Sequence, residues 1–331
     1  MSPAAQDQRQ SPDYDALVAE YGQWTAMAIH LGEGKYTRLA EPDWRLRRLT
    51  QVVADLLRKP FSEARVLDLA CLEGHYAIEM ALHGARVVGT DIREANLAKA
   101  RYVQQVLGLT NLEFVRDDVR NLRRELFGGF DVVIASGILY HLDVPAVFEF
   151  VQRLYDVCDR MVVIDTQIAL SPRVTVEHQG RSYSGMWYRE HAEGSDASQR
   201  YRDLWASIDN VRSFWLTEPS LYNLLGDVGF SSIVRVEGPQ MPVGRDRQMY
   251  VAIKGPRVAI RSSPITNSLQ ETPRPQQNEW PVNQAQIQRG VIFRTLKAGL
   301  PQPIKDAIKP ALRWVRLLPP DTTPEFLRPK R

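Results

Sequence analysis

Short apolar runs alternate with amphipathic stretches between residues 66 and 165. The apolar runs are typical of buried strands, and apolar residues spaced three or four apart are typical of helices with one buried face. The pattern predicts strands at Val66–Ala70, Arg86–Thr90, Leu112–Arg116, Phe130–Ser136 and Met161–Asp165. It predicts helices at Gly74–His83, Glu94–Leu107 and Val144–Val157. Strands without polar alternation are buried on both faces, so we expect a doubly wound, Rossmann-like α/β sheet.

The regions beside this core follow other patterns. Residues 14–60 show mainly helical spacing and predict an N-terminal helical cap, which Pro60 ends because proline has no backbone N–H to donate. Residues 171–217 form a polar, aromatic-rich insertion, which we interpret as a lid over the site. The predicted domain spans residues 61–256 and gains its last elements from a helix at Pro219–Val228 and strands at Ser232–Glu237 and Met249–Lys254. The sheet is therefore expected to have seven strands.

Both ends of the chain have a biased composition. Residues 1–13 are polar and rich in Pro and Gln, which predicts disorder, and they lack the apolar core of a signal peptide. Residues 257–288 are rich in Pro, Gln, Ser and Asn, which predicts a linker. Residues 289–331 form a basic tail with amphipathic helical spacing that Pro310 interrupts. Such a tail could lie on an anionic membrane surface, contact RNA phosphates, or dock on this domain or on a second subunit.

Charge and cysteine content narrow the class of protein. A net charge of +3 over 331 residues is too small to indicate a nucleic-acid partner by itself. Cys71 and Cys158 form no CxxC or Cys/His cluster, which indicates a reduced, cytoplasmic protein. No apolar run reaches the roughly 18 residues of a transmembrane helix, so we predict none, and any peripheral contact with the inner face of the membrane depends on the tail.

Three acidic residues fall at the ends of the first three predicted strands, where doubly wound sheets bind their ligands. We expect Asp91 to accept hydrogen bonds from both hydroxyls of an adenosine ribose. Asp118 would bind the adenine amino group beside the Val119 amide, and Asp68 would bind an ammonium group. The predicted cofactor-binding residues are Asp68, Ala70, Gly74, Asp91, Asp118, Val119, Ser136 and Tyr140.

A dinucleotide-binding protein is the alternative interpretation of this pattern. Its GxGxxG fingerprint needs glycines, so that backbone amides can surround a pyrophosphate. Here Ala70, Leu72 and His75 stand at those places, and the Leu72 side chain would obstruct a pyrophosphate. A methionine chain carries no phosphate, and its ammonium group suits the additional acid Asp68. The sequence therefore favours S-adenosylmethionine over NAD.

These segments resemble class I S-adenosylmethionine-dependent methyltransferases. The resemblance rests on residues 68–74, Asp91, Asp118 and the strand Phe130–Ser136. The usual first loop of that family, DxGxGxG, is replaced at Ala70 and Leu72, and Gly74 is kept.

A narrower similarity links residues 24–37, 137–141 and 213–220 to the bacterial tRNA wobble-uridine carboxymethyltransferase family. That family uses a carboxylated cofactor and has basic residues just after its LYH segment. Leu142 and Asp143 follow that segment here, so we expect transfer of a plain methyl group. The resemblance also implies that Lys35, Tyr36 and Thr37 fold over the cofactor.

His141 is the candidate catalytic residue. It follows the fourth strand, near the expected position of the transferable methyl group, and an imidazole can act as a general base near neutral pH. The alternative is that His141 packs or caps the next helix. Glu190 and His191 lie in the lid insertion, where either could contact the acceptor. A metal-dependent mechanism is disfavoured because Ser136 stands where a ligand is needed and Asp165 alone makes no site.

The function predicted from the sequence is transfer of a methyl group from S-adenosylmethionine to an oxygen, with nitrogen second, of a small molecule or glycan. Two alternatives stay open: a tRNA wobble-uridine modifying enzyme and a non-catalytic protein that binds the cofactor. The sequence does not identify the acceptor, the role of the tail or the oligomeric state.

Overall fold

A computed structural model describes residues 14–39, 43–237, 246–256 and 276–279. The predicted disordered start (residues 1–13), most of the predicted linker and the whole basic tail lie outside the described residues.

Twelve strands occur in the described part of the chain. They are β1 His30–Gly32, β2 Lys35–Tyr36, β3 Arg65–Leu69, β4 Arg86–Asp91, β5 Leu112–Arg116, β6 Phe130–Ser136, β7 Cys158–Gln167, β8 Val174–His178, β9 Arg181–Arg189, β10 Arg212–Leu216, β11 Ser232–Val236 and β12 Arg247–Ile253. The helices are α1 Tyr14–Tyr21, α2 Trp44–Leu57, α3 His75–Leu82, α4 Glu94–Val106, α5 Arg124–Phe127, α6 Ala146–Val157, α7 Ala197–Arg202 and α8 Glu218–Asp227.

The central sheet has seven strands in the order β11-β12-β7-β6-β3-β4-β5. Strands β3 to β7 run parallel; at one edge β12 pairs antiparallel with β7, and β11 pairs antiparallel with β12. The order reverses between β3 and β6, so the loops after these strands diverge and leave a cleft at their carboxyl ends. The predicted seven-stranded, doubly wound sheet is confirmed, with strand bounds within a few residues of those expected.

Both faces of the sheet are buried, which explains why its strands lack polar alternation. In β6, Val133 and Ala135 pack on the side of α6 and α8, whereas Val132 and Ile134 pack on the side of α2, α3 and α4. All four side chains are fully buried.

The insertion after β7 is more regular than its polar composition suggested. Strands β8, β9 and β10 form a separate three-stranded antiparallel sheet in the order β10-β9-β8. The short helix α7 and residues 203–211 connect β9 to β10. We name residues 200–210 the lid segment, since several of its residues lie over the cleft.

The N-terminal cap differs from the prediction because it is not helical throughout. The hairpin of β1 and β2 separates α1 from α2, with Gly32 and Gly34 at φ +94° and +73° in its turn. Glycine adopts these angles without steric cost, so the pair favours a turn where a helix was expected. Lys35 and Tyr36 are exposed in this hairpin.

A buried ion pair anchors the segment between α1 and β1. Nζ of Lys99 lies 3.1 Å from Oε1 of Glu73, and both side chains are almost fully buried. The Glu73 carboxylate also accepts hydrogen bonds from the backbone N–H groups of Thr25 and Ala26, each at 2.8 Å. Lys99 in addition donates to the carbonyl of Gln23 at 2.8 Å. These contacts hold Ala26 at the edge of the cleft.

Candidate functional site

A cleft opens at the carboxyl ends of β3, β4, β5 and β6. Seven of the eight predicted cofactor-binding residues line it, as does the predicted catalytic residue: Asp68, Ala70, Asp91, Asp118, Val119, Ser136, Tyr140 and His141. Gly74 does not line the cleft. Lys35, Tyr36 and Thr37 also lie away from its wall, and Ala26 and Met27 line it instead.

The loop after β3 keeps the backbone shape of a glycine-rich loop without the glycines. Ala70 and Leu72 adopt φ +51° and +50°, in the left-handed region that costs a non-glycine residue about 1–2 kcal/mol. Hydrogen bonds hold this geometry: the Leu72 N–H donates to Oδ2 of Asp91 at 3.0 Å, and the Cys71 N–H donates to the Thr90 carbonyl at 2.9 Å. The loop is thereby tied to the end of β4.

Gly74 is required by packing rather than by contact with the cleft. Its φ of +82° begins α3, and a Cβ at this position would lie 2.7 Å from Cζ of Phe114 and 3.0 Å from Cβ of Ala100. The helix can therefore approach β5 only if residue 74 has no side chain.

Asp68 is a buried acid at the end of β3, facing the cleft. Its Oδ2 accepts a hydrogen bond from the Ala77 N–H at 3.0 Å. Burial raises the pKa of Asp68 to about 8, in spite of that hydrogen bond, and the nearby Asp91 charge adds to the rise. A carboxyl group in this state is well suited to an ammonium group, because the incoming positive charge stabilises the ionised form.

Asp91 has less free hydrogen-bonding capacity than the sequence suggested. Oδ1 accepts from the Arg93 N–H at 2.8 Å and from Nδ2 of Asn96 at 3.1 Å, and Oδ2 accepts from the Leu72 N–H. Burial raises the pKa of Asp91, and these hydrogen bonds oppose the rise. A carboxylate has about four acceptor positions, so one position stays open for a ribose hydroxyl.

Asp118 is paired with Arg120, a basic residue that was not among the predicted site residues. Nε of Arg120 lies 3.0 Å from both carboxylate oxygens of Asp118, and its Nη2 lies 2.8 Å from Oδ2 of Asp209 in the lid segment. Burial would raise the pKa of Asp118, but the Arg120 hydrogen bonds lower it below the usual value. Arg120 therefore joins the end of β5 to the lid at the side of the cleft where adenine was predicted.

His141 belongs to a hydrogen-bonded pair with Glu190 of the insertion. Nδ1 of His141 lies 3.0 Å from Oε2 of Glu190, whose side chain is 1% exposed. Glu190 also accepts from Oγ of Ser213 at 2.7 Å and from the Ser207 N–H at 3.1 Å. Burial favours a higher pKa for Glu190, yet the hydrogen bonds from His141, Ser213 and Ser207 hold its pKa below the usual range. Glu190 is thus ionised at neutral pH and orients the imidazole.

Glu190 and His191, the insertion residues predicted as possible contacts of the acceptor, do not line the cleft. Glu190 is held behind His141 by the bonds just described. His191 is buried, and its Nε2 is 2.8 Å from the carbonyl oxygen of Ser207. Both residues therefore support the lid and His141.

Tyr140 and two arginines form the other end of the cleft. Arg247 is paired with the buried Asp165, with Nε 2.8 Å from Oδ1, and its guanidinium lies 5.6 Å from the centre of the Tyr140 ring. Nη1 of Arg45, at the start of α2, lies 3.9 Å from Oδ2 of Asp165. Burial raises the pKa of Tyr140, although the nearby Arg247 charge opposes this rise. Two guanidinium groups thus share one carboxylate.

Several residues of this site were missed from the sequence: Arg45, Arg93, Arg120 and Arg247. Arginine is common at protein surfaces, and the spacing of these four residues along the chain gave no sign that they line one cleft. Arg93 had one available signal, since it stands two residues after the predicted ribose ligand Asp91.

No group of three or more His, Cys, Asp or Glu side chains suited to a metal ion occurs among the residues that the structure describes. Within the same ranges, no helix has the length and apolar character needed to cross a membrane.

Comparison with known proteins supports the geometry. Residues 66–160, which contain β3 to β6 and the cofactor loop, match the family described as a methyltransferase domain. This part of the chain is a methyltransferase domain. The predicted resemblance to class I S-adenosylmethionine-dependent methyltransferases is confirmed, whereas the narrower similarity to the tRNA wobble-uridine family stays a prediction.

Two similar curated proteins are named ubiquinone biosynthesis O-methyltransferase. The one from Acinetobacter baumannii (strain AYE) is 38% identical over 82 residues, which are 25% of this chain and 35% of the relative. The one from Pseudomonas aeruginosa (strain UCBPP-PA14) is 32% identical over 119 residues, which are 36% of this chain and 47% of the relative. The matched part of the chain thus spans less than half the length of these relatives.

The N-terminal domain of EvdMO1, whose crystal structure was determined in the presence of SAH and D-fucose, has a similar fold. Its TM-score is 0.58 at 23% sequence identity, over 76% of this chain and 98% of that domain. The similarity extends well beyond residues 66–160 and shows that most of the described chain shares this fold.

Proposed function

We propose that this protein transfers a methyl group from S-adenosylmethionine to a hydroxyl oxygen of a small molecule or glycan, with His141 as the general base. The observation that carries the proposal is the 3.0 Å hydrogen bond between His141 and Glu190 at the wall of the cleft that holds Asp68 and Asp91.

The donor groups of the cleft fit S-adenosylmethionine. Asp91 keeps an open acceptor position for the ribose, and the Asp68 carboxyl faces the cleft for the methionine ammonium. The methionine carboxylate needs a positive partner, and Arg45 faces the same cleft with its guanidinium 3.9 Å from Asp165. When bound, the cofactor supplies a sulfonium whose methyl group is attacked in line by the acceptor.

Residue Leu72 explains why a dinucleotide fits less well. Its left-handed backbone directs the N–H to Asp91, so this amide is not available to a pyrophosphate.

The His141–Glu190 pair supports an oxygen acceptor that loses a proton. With Nδ1–H donated to the Glu190 carboxylate, Nε2 keeps its lone pair and can accept the proton of a hydroxyl. The ionised Glu190 also stabilises the imidazolium that forms. General base catalysis of this kind contributes about 10²–10⁴-fold to a rate. The names of the ubiquinone relatives describe O-methylation in those proteins, which is consistent with this choice of acceptor atom.

The test is a methyl-transfer assay with labelled S-adenosylmethionine against phenolic metabolites, sugars, lipid-linked sugars and fractionated tRNA. We expect label in a hydroxylated small molecule or sugar and loss of labelling in the His141→Gln variant. Label in tRNA would contradict the proposed acceptor class. If the cofactor binds in calorimetry but His141→Gln transfers label at the wild-type rate, the proposed base is wrong.

A further inference from the structure

Arg93 is buried beneath the lid segment, two residues after Asp91. Within the described residues, the hydrogen-bond partners of its guanidinium are carbonyl oxygens of residues 200–207. The donor–acceptor distances are 3.0 Å to Tyr201, 2.9 Å to Asp203, 3.0 Å to Ala206, 3.4 Å to Ser207 and 3.5 Å to Arg200. One side chain therefore contacts five carbonyls within eight consecutive residues of the lid segment.

These carbonyls explain why a cation is needed here. Helix α7 ends at Arg202, so the carbonyls of Arg200 and Tyr201 lie at the negative end of its dipole, where Arg200 accepts one 3.3 Å bond from the Asp203 N–H. The carbonyls of Ala206 and Ser207 belong to the turn that follows. The guanidinium contacts Tyr201 through Nε and the other four carbonyls through Nη2, so its donors are spread over two atoms of a rigid fork, whereas a lysine places its donors on one atom.

Ser207 connects this cluster of carbonyls to the proposed base. Its N–H donates to Oε2 of Glu190 at 3.1 Å, and that same oxygen is 3.0 Å from Nδ1 of His141. The Ser207 carbonyl lies within reach of Arg93 and of Nε2 of His191, at 3.4 and 2.8 Å. The Ser207 N–H thus holds the carboxylate that orients the imidazole, and the Ser207 carbonyl lies within reach of Arg93. Both contacts depend on the position of the same residue.

A second link joins the lid to the same histidine. Nδ2 of Asn210 donates to the His141 carbonyl at 3.0 Å. Leu204, Trp205 and Ile208 meanwhile line the cleft from the lid side. If the lid segment moves away from the cleft, the hydrogen bonds of Arg93 and the Glu190–Ser207 hydrogen bond must break together, because they hold adjoining peptide groups.

We propose that Arg93 is a positioning residue that latches the lid segment over the bound cofactor and, through Ser207, holds Glu190 and His141 in their working orientation. The role of His141 in this statement rests on the proposed function. Exchange of the product cofactor then requires the Arg93 latch to open, and the base is assembled only while the lid is closed.

The first experiment measures dissociation of S-adenosylhomocysteine from the purified full chain by stopped-flow fluorescence. Arg93→Met keeps the length and bulk of the side chain but removes its charge and its donors. We expect dissociation about 10- to 100-fold faster, because hydrogen bonds to a charged group are lost and about 1.4 kcal/mol corresponds to tenfold. Arg93→Lys should fall between this variant and the wild type. Hydrogen exchange of residues 203–210 should also be faster in both variants.

The matched control is Arg101→Gln. Arg101 is about one-third exposed, and in the described part of the chain its guanidinium binds Glu94 at 2.6 Å and the Phe114 carbonyl at 3.3 Å rather than the lid segment. Its dissociation rate should equal that of the wild type. If Arg93→Met fails to fold, Arg93→Lys carries the same comparison, since it keeps the charge and loses the fork.

The second experiment tests the link to the base without any acceptor. A proton in the Nδ1–H hydrogen bond to a carboxylate gives a downfield NMR signal, which His141→Gln assigns by its loss. We expect this signal in the wild type and in Arg101→Gln, and we expect it to broaden or vanish in Arg93→Met. A signal unchanged in Arg93→Met would overturn the coupling to His141, and an unchanged dissociation rate would overturn the latch. Failure of the wild type to bind S-adenosylhomocysteine would instead contradict the proposed function.

Discussion

Nδ1 of His141 lies 3.0 Å from Oε2 of Glu190, although the two residues are 49 positions apart in the chain. The histidine follows the fourth strand of the central sheet, and the glutamate follows a strand of the inserted sheet. The insertion therefore does more than cover the cleft. It supplies the carboxylate that gives His141 a defined tautomer and orientation.

The first prediction concerns this pair. Glu190→Gln retains the shape of the side chain and removes the charge that stabilises a protonated imidazole, so we expect kcat to fall at least about tenfold. The KM for S-adenosylmethionine should change little, because Glu190 is not part of the cleft wall. Steady-state kinetics with the acceptor found in the labelling assay measures both values.

The pH dependence of the same reaction follows from the state of each group. The pKa of Glu190 is held below its usual value, so the carboxylate stays ionised throughout the neutral range. The charge that stabilises the imidazolium is therefore present at neutral pH and is lost only when acid protonates Glu190, so kcat should fall at acid pH. An unchanged pH dependence of kcat in Glu190→Gln would show that Glu190 has no part in this fall.

The second prediction concerns Asp68 and the pH dependence of stability. The folded protein keeps the Asp68 proton up to a pKa of about 8, whereas the unfolded chain releases it near the model-compound value of 3.8. Between pH 3.8 and about 8 the folded state binds more protons than the unfolded chain. The stabilisation that Asp68 contributes is therefore complete below the lower pKa and is lost as the pH rises through the higher pKa. The free energy of unfolding should decline with a slope approaching about 1.4 kcal/mol per pH unit.

Asp68→Asn removes this titration and should flatten the decline. Urea unfolding between pH 5 and 8 measures the slope, and a smaller slope should remain from Asp91, whose pKa is also raised by burial. The exposed Asp55→Asn serves as the control and should keep the wild-type slope. Equal slopes for the Asp68 variant and the wild type would mean that Asp68 is ionised in the folded protein.

The third prediction concerns the ion pair that anchors the N-terminal cap. Lys99→Met leaves the Glu73 carboxylate buried without its cation, and we expect a loss of about 3–5 kcal/mol in the free energy of unfolding. The double variant with Glu73→Gln should recover part of that loss. The exposed pair of Lys35 and Glu33 offers the control, since Lys35→Met should leave the urea midpoint unchanged. A small effect of Lys99→Met would show that the cap is held by apolar packing alone.

The fourth prediction concerns Gly74. An alanine there needs a left-handed φ and places its Cβ 2.7 Å from the Phe114 ring, so Gly74→Ala should destabilise the protein by about 2–4 kcal/mol. Thermal or urea unfolding measures the loss. Gly108→Ala has a similar left-handed φ with nothing within 4 Å, and it should show the backbone cost alone. Equal losses in the two variants would exclude the contact with Phe114 as a cause.

Much of the central sheet followed from local pattern. Residues 66–69 of β3 and five of the seven residues of β6 are buried, and a parallel strand buried on both faces leaves an unambiguous apolar signature. The hairpin at residues 30–36 was missed because its strands are two or three residues long and exposed, so periodicity carries no signal there. The antiparallel sheet of the insertion was missed for a related reason, since its outer strand β8 has no fully buried residue.

The sequence by itself determined the sheet, the acids at its strand ends and His141, because each depends on residues close together in the chain. The tertiary structure decided how they are used. It brought Glu190 behind His141, placed Arg120 on Asp209 of the lid segment and buried Arg93 among the carbonyls of the lid. Each of these contacts joins segments whose approach is set by packing of the whole domain. Local spacing carries no record of such distances, so these contacts could be read only from the folded chain.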